Sequence, residues 1–180
     1  MADPALEQLE KAFLGRNIPE LKDLSSEFSQ RAFLEQDRDL VELSVLAYSL
    51  AKFCDKPYIV NNPAWKGFTE KIEAGLKTAI ELSSQKPRAP LRSKIRELVA
   101  SVEELSNSFG RFVLNTLDKA RIKAGANIYA KGASLGSAAD LSGAPKNEIA
   151  DYVGATRIPE KYSNGALEKR LKRAREALTG

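Results

Sequence analysis

An all-α fold is predicted by three observations. Apolar residues recur at helical spacing along the whole chain. No stretch alternates apolar and polar residues as a half-buried strand does. The pairs Asp3-Pro4 and Asn62-Pro63 each place a capping side chain before a proline, the local signature of a helix start. The expected architecture is an N-terminal helical bundle, a long central helix, and a C-terminal pair of helices followed by a basic helix.

Each element follows from local pattern. Asp3-Pro4 opens a first helix that ends near Gly15. A second begins around Pro19 and carries Leu21, Leu24, Phe28 and Ala32 on one face. The third starts near Asp37 and presents Leu40, Leu43, Ala47, Leu50 and Cys54. The segment "CDKPYIVNNP" reads as a loop, and Asn62-Pro63 caps a fourth helix with Trp65, Phe68, Ile72, Leu76 and Ile80 inward. Four amphipathic helices with short connections form a small bundle.

After Pro90 comes the longest helical pattern. Leu91, Ile95, Leu98, Val102, Leu105, Phe109 and Phe112 alternate four- and three-residue steps, a heptad seam. It either pairs with its copy in a second chain or lies against the first four helices as a further core member. Phenylalanine at two successive seam positions suits a globular core better than a tight two-stranded coil. The helix is expected to continue through Val113, Leu117, Ile122 and Ile128 towards Gly132, with Gly125 as a point of bending.

Composition divides the chain. Residues 1–85 carry 10 basic and 14 acidic side chains, a net of −4, whereas residues 86–180 carry 18 and 10, a net of +8. The break falls at "QKPRAP". The resulting domain reading is an acidic bundle over 1–85 for dimerisation or partner binding, a linker over 86–90, and a basic unit over 91–180. Polyanion binding belongs to the second half.

Other classes are disfavoured. The chain has no histidine, which removes imidazole bases, Ser-His triads and His-containing metal sites. Its single cysteine, Cys54, makes no intramolecular disulfide, so a reducing, cytoplasmic setting is expected. No apolar run approaches the ~18 residues that span a bilayer, and residues 1–15 lack the pattern of a secretory signal. No glycine-rich phosphate loop follows a strand. Carboxylates cluster at Glu35, Asp37 and Asp39 and at Glu103 and Glu104, in settings that suit solvent better than a cleft. Neither an enzyme nor a cofactor is expected.

The most informative stretch is "SLGSAADLSGAPKNEIADYVG", residues 134–154. Ser134 is placed to cap a helix in which Ala138 and Ala139 are the small inward residues. Gly143 falls where a sharp turn needs a positive φ, Ala144 is the apolar turn residue, and Pro145 opens the next helix. Ile149 and Tyr152 put apolar bulk on one face of that helix. This spacing resembles the helix-turn-helix DNA-binding superfamily, and "SLGSAADLSG" is similar to the signature of small prokaryotic antitoxin-like members. The resemblance covers about 21 residues of the chain. It implies a regulatory or antitoxin-like protein that binds double-stranded DNA, with 145–153 as the helix in the major groove.

On that reading Lys146, Asn147, Ala150 and Asp151 face outward. Asn147 offers paired hydrogen bonds to an adenine edge and Lys146 approaches guanine or phosphate. Lys131 and Arg157 flank the unit, and Lys169, Arg170, Lys172 and Arg173 of a C-terminal basic helix contact phosphates. Glu148 and Asp151 oppose this, because carboxylates near phosphates cost affinity. The same basic helix also reads as a solvated one, stabilised by Glu168–Lys172 and Lys172–Glu176 pairs. Two functions therefore stand. One is a DNA-binding protein, with a homodimer formed through the 91–112 seam or the bundle. The other is an all-helical protein–protein interaction module that binds no nucleic acid.

Overall fold

The computed structural model describes residues 3–109 and 115–156. Those residues form nine helices and no strand, in keeping with the all-α expectation. In chain order they are α1 (Pro4–Leu14), α2 (Ile18–Glu35), α3 (Arg38–Cys54), α4 (Pro57–Val60), α5 (Ala64–Ser83), α6 (Ala89–Ser108), α7 (Thr116–Ala130), α8 (Leu135–Ser142) and α9 (Lys146–Thr156).

Local chemistry sets most of the boundaries. Asp3 caps α1 by accepting the Ala5 N–H at 3.0 Å, Asn17 caps α2 through Glu20, and Asp37 caps α3 through Asp39 at 2.8 Å. Asp3 also ties three helices together. Its backbone N–H donates to Ser83 Oγ of α5, and its carboxylate accepts from Arg31 of α2 at 3.1 Å.

Helix α3 is the axis of the molecule. Eleven of its seventeen residues are buried, on every side of the helix, which is the pattern of a helix walled in by others. Its neighbours are α1, α2, α4, α6, α7 and α8. The α2–α3 contact is close because serines, not large side chains, meet there. Ser44 Oγ donates to the Ser25 carbonyl at 2.7 Å, and Ser29 and Ser44 share a hydrogen bond of 2.7 Å. Their polar atoms are thereby satisfied inside an apolar layer. At the other end Phe13, Phe53, Trp65 and Phe68 meet mostly edge to face, with ring centroids 5.4–6.4 Å apart.

The heptad seam packs within the chain. Leu91, Ile95, Leu98, Val102 and Leu105 are buried in the main core, against α3 and α5, and Phe109 is partly buried beside them. Phe112 lies outside the described residues. One apolar core thus contains residues from both sides of the 86–90 charge boundary.

Two expectations need correction. The segment expected as a loop contains one helical turn, α4, because Pro57 presets helical φ and the Lys56 carbonyl accepts from Ile59 and Val60. Ile59, on that turn, is fully buried. The long helix expected from 91 towards 132 is two helices. Helix α6 ends at Ser108, where the Phe109 N–H bonds back to Ser106 in a tightened last turn. Helix α7 begins after Asn115, whose φ of 76° is left-handed. Ser106, Asn107 and Ser108 are poor helix formers, and they outweigh the apolar spacing at that point. Gly125 is consequently no bend in a long rod; it lies inside α7.

Candidate nucleic-acid interface on the last three helices

Helices α7, α8 and α9 form a compact unit around a second small core of Ala126, Ala144 and Ile149. The Ser134 hydroxyl caps α8 by accepting the Ser137 N–H at 3.0 Å. Gly143 ends the helix at φ 70°, and its N–H donates to the Ala139 carbonyl at 2.9 Å. Ser142 Oγ, fully buried, accepts from the Ala144 N–H across the turn. Pro145 precedes α9 as its flanking residue, one position earlier than expected, and its carbonyl accepts from Ile149.

Gly125 is what lets this pair of helices sit down on α7. A Cβ there would stand 2.6 Å from Ile149 Cδ1 and 2.8 Å from Ser142 Oγ. A short helix, a left-handed glycine and a second helix are thus seated against a third through one small residue. Of these features, the Ser134 cap, the left-handed Gly143 and the buried Ile149 are those that the 134–154 spacing predicts.

The outward face of α9 is as expected. Lys146, Asn147, Ala150 and Asp151 are exposed, and Glu148 is exposed with them. Among the described residues none of the charged or amide side chains in this set is engaged in an ion pair or hydrogen bond. Lys131 ends α7 and is partly covered. Arg157, Lys169, Arg170, Lys172 and Arg173 lie outside the described residues.

Sequence reasoning missed where the basic residues of α7 point. Arg121 is partly covered and turned towards α3. Its Nη1 and Nη2 hold both carboxylate oxygens of Glu42 in α3, at 3.0 and 2.9 Å, and Nη1 also reaches the Ser142 carbonyl at 3.4 Å. Lys123 is partly buried over the Tyr48 ring, 4.7 Å from its centroid. Burial, and secondarily Lys52 and Lys22, depress its pKa.

The charge of the second half is therefore distributed unevenly. Residues 115–156 carry five basic and four acidic side chains, a net of +1. Most of the excess lies in 86–114 and 157–180. Within the first of these, Arg88 and Arg92 are paired with Asp37 and Asp39, so Asp37 is both the cap of α3 and an ion-pair partner.

Two clefts border the unit. One, of about 440 Å³, lies beside the 143–145 turn and is lined by Asp118, Lys119, Arg121 and Glu148 among others. The other, of about 770 Å³, runs between the α2–α3 turn, α6 and α8, with Asp37, Asp39, Arg92, Arg96 and Asp140 on its walls. Both carry charges of each sign, and no group of three or more metal-ligating side chains occurs among the described residues. No described helix is long and apolar enough to cross a membrane.

Comparison with known proteins returned no match to a family model, to a curated protein or to a solved structure.

Proposed function

We propose that the protein binds double-stranded DNA as a regulatory or antitoxin-like protein, with α9 entering the major groove. The observation that carries this reading is the exposed, unengaged Lys146–Asn147 end of α9, presented just beyond the left-handed turn at Gly143. An amide at that position matches an adenine edge, and the neighbouring ammonium matches guanine or phosphate. With a net of only +1 over 115–156, most phosphate affinity falls to the basic residues of 157–180, including Arg157, Lys169, Arg170, Lys172 and Arg173. A homodimer would set two α9 helices about 34 Å apart, one turn of duplex, and so favour a palindromic site.

A second reading is favoured by Glu148 and Asp151, which share the exposed surface of α9. They suit a protein partner with basic groups better than a phosphate backbone. Fluorescence anisotropy with a pool of duplex genomic fragments, at low and near-physiological salt, separates the two. Retention of a common motif at the higher salt supports the duplex reading. Binding that disappears with salt, or never arises, supports the protein-interaction module.

A further inference from the structure

Away from the outward face of α9, Lys52 and Lys123 from two helices converge on one tyrosine, and Lys22 from a third adds its charge. Lys52 of α3 lies 5.3 Å from the Tyr48 ring centroid, and Lys123 of α7 lies 4.7 Å from the same centroid. Lys22 of α2 is near enough to act electrostatically on Lys123 alongside Lys52. Tyr152 of α9 is near enough for its hydroxyl to interact electrostatically with that of Tyr48. Lys22, Tyr48, Lys123 and Tyr152 are partly buried, as is Lys52.

Such an arrangement has a cost. Like charges repel, and surface lysines ordinarily swing apart into water on flexible stems. Here the stems are partly buried, and the Lys52 and Lys123 ammonium groups both stay beside one ring. Among the described residues no carboxylate lies within 4.0 Å of any of the three ammonium groups. Elsewhere the same protein pairs its half-buried cations: Arg31 with Asp3 and Glu35, and Arg121 with Glu42. The ring of Tyr48 offsets part of the repulsion and leaves the positive charge uncompensated.

We infer that the Lys22–Lys52–Lys123 cluster is an anion site that takes a multiply charged phosphate group. A single carboxylate would neutralise one of three ammonium charges, whereas a pyrophosphate or adjacent phosphodiesters neutralise more. Lysines bind phosphate as point charges with rotatable donors, and the Tyr48 and Tyr152 hydroxyls add neutral donors to the rim. Burial raises the pKa of both phenols, so they remain protonated and able to donate. The site draws on four helices, with Tyr48 packed on the main core and Tyr152 on the second, and it stands whether or not α9 reads DNA.

The probe is inorganic pyrophosphate, titrated calorimetrically into the full chain at low ionic strength. Saturable binding at one site per chain is expected. Lys52→Gln and Lys123→Gln should each weaken it about tenfold, the loss of one charge-assisted contact. Lys22→Gln, on a separate helix, serves if a variant at Lys123 does not fold. Lys66→Gln removes an exposed lysine of α5 and should leave binding unchanged. No saturable binding, or an equal loss with Lys66→Gln, overturns the proposal. Competition then identifies the source of the phosphate. Displacement of pyrophosphate by a mixed-sequence duplex, abolished by Lys52→Gln, assigns it to nucleic-acid backbone. Persistence of pyrophosphate binding beside excess duplex assigns it to a small phosphorylated molecule.

Discussion

Arg121 of α7 and Glu42 of α3 form a two-point contact, 2.9 and 3.0 Å between paired nitrogen and oxygen atoms, across 79 residues of chain. Both side chains are more than two-thirds covered. The same guanidinium touches the Ser142 carbonyl at the end of α8, where a cation also complements the negative end of the helix. Arg121→Ala should therefore lower stability by about 2 kcal/mol, the scale of hydrogen bonds to charged groups. Urea unfolding of Arg121→Ala, Glu42→Gln and the double variant measures the coupling. A double variant no worse than either single one is the expected outcome.

Two glycines of the C-terminal unit should respond differently to substitution. Gly143→Asn should cost little, because asparagine tolerates the left-handed turn and a Cβ there would meet only Arg121 Nη1, at an ordinary contact distance of 3.7 Å. Gly125→Ala should cost about 1–2 kcal/mol, since overpacking against buried Ile149 and Ser142 outweighs the gain in helix propensity. Thermal unfolding of the two variants side by side tests this. Hydrogen exchange should show the Gly125→Ala loss concentrated in α8 and α9.

For DNA binding, two sets of residues should separate by what they change. Lys146→Ala and Asn147→Ala should alter which fragments a genomic pool yields. Neutralising Lys169, Arg170, Lys172 and Arg173 together should weaken binding to all fragments and flatten its salt dependence. Equal losses on selected and random duplex from both sets would count against a reading helix.

Cys54 should be a sluggish thiol. Burial pushes its pKa up to about 11, and nearby Arg16 offsets this only in part. The thiolate is the reactive form, so alkylation of the native protein should be slow at neutral pH and accelerate as pH approaches 11. In denaturant the rate should rise at once to that of an ordinary cysteine. The folded state holds this proton above the pH at which the unfolded chain releases it. Stability should consequently fall as pH rises from about 9 towards 11.

What the sequence disclosed depended on the range of the interaction. The caps at Asp3 and Asp37 act within two residues, and the starts of α1 and α3 follow from them. The exposed set on α9 was legible because Ile149 and Tyr152 fix which way that helix faces. The break between α6 and α7 was not, because the seam spacing runs on past residues whose propensity ends the helix. Nor was the inward turn of Arg121 and Lys123. Their partners Glu42 and Tyr48 lie on another helix far away in the chain, and only the folded arrangement brings them together.

The position of α3 also bears on how the chain is made. On a ribosome α3 emerges with only α1 and α2 to cover it, while the walls contributed by α6 and α7 have not yet been synthesised. Leucines and valines on the open side of α3 must then wait until α6 and α7, which end at Ser108 and Ala130, have followed. That interval exposes an apolar helix to the surroundings of the ribosome and to whatever chaperones reside there. A nascent chain stalled before residue 89 should be the form most prone to self-association.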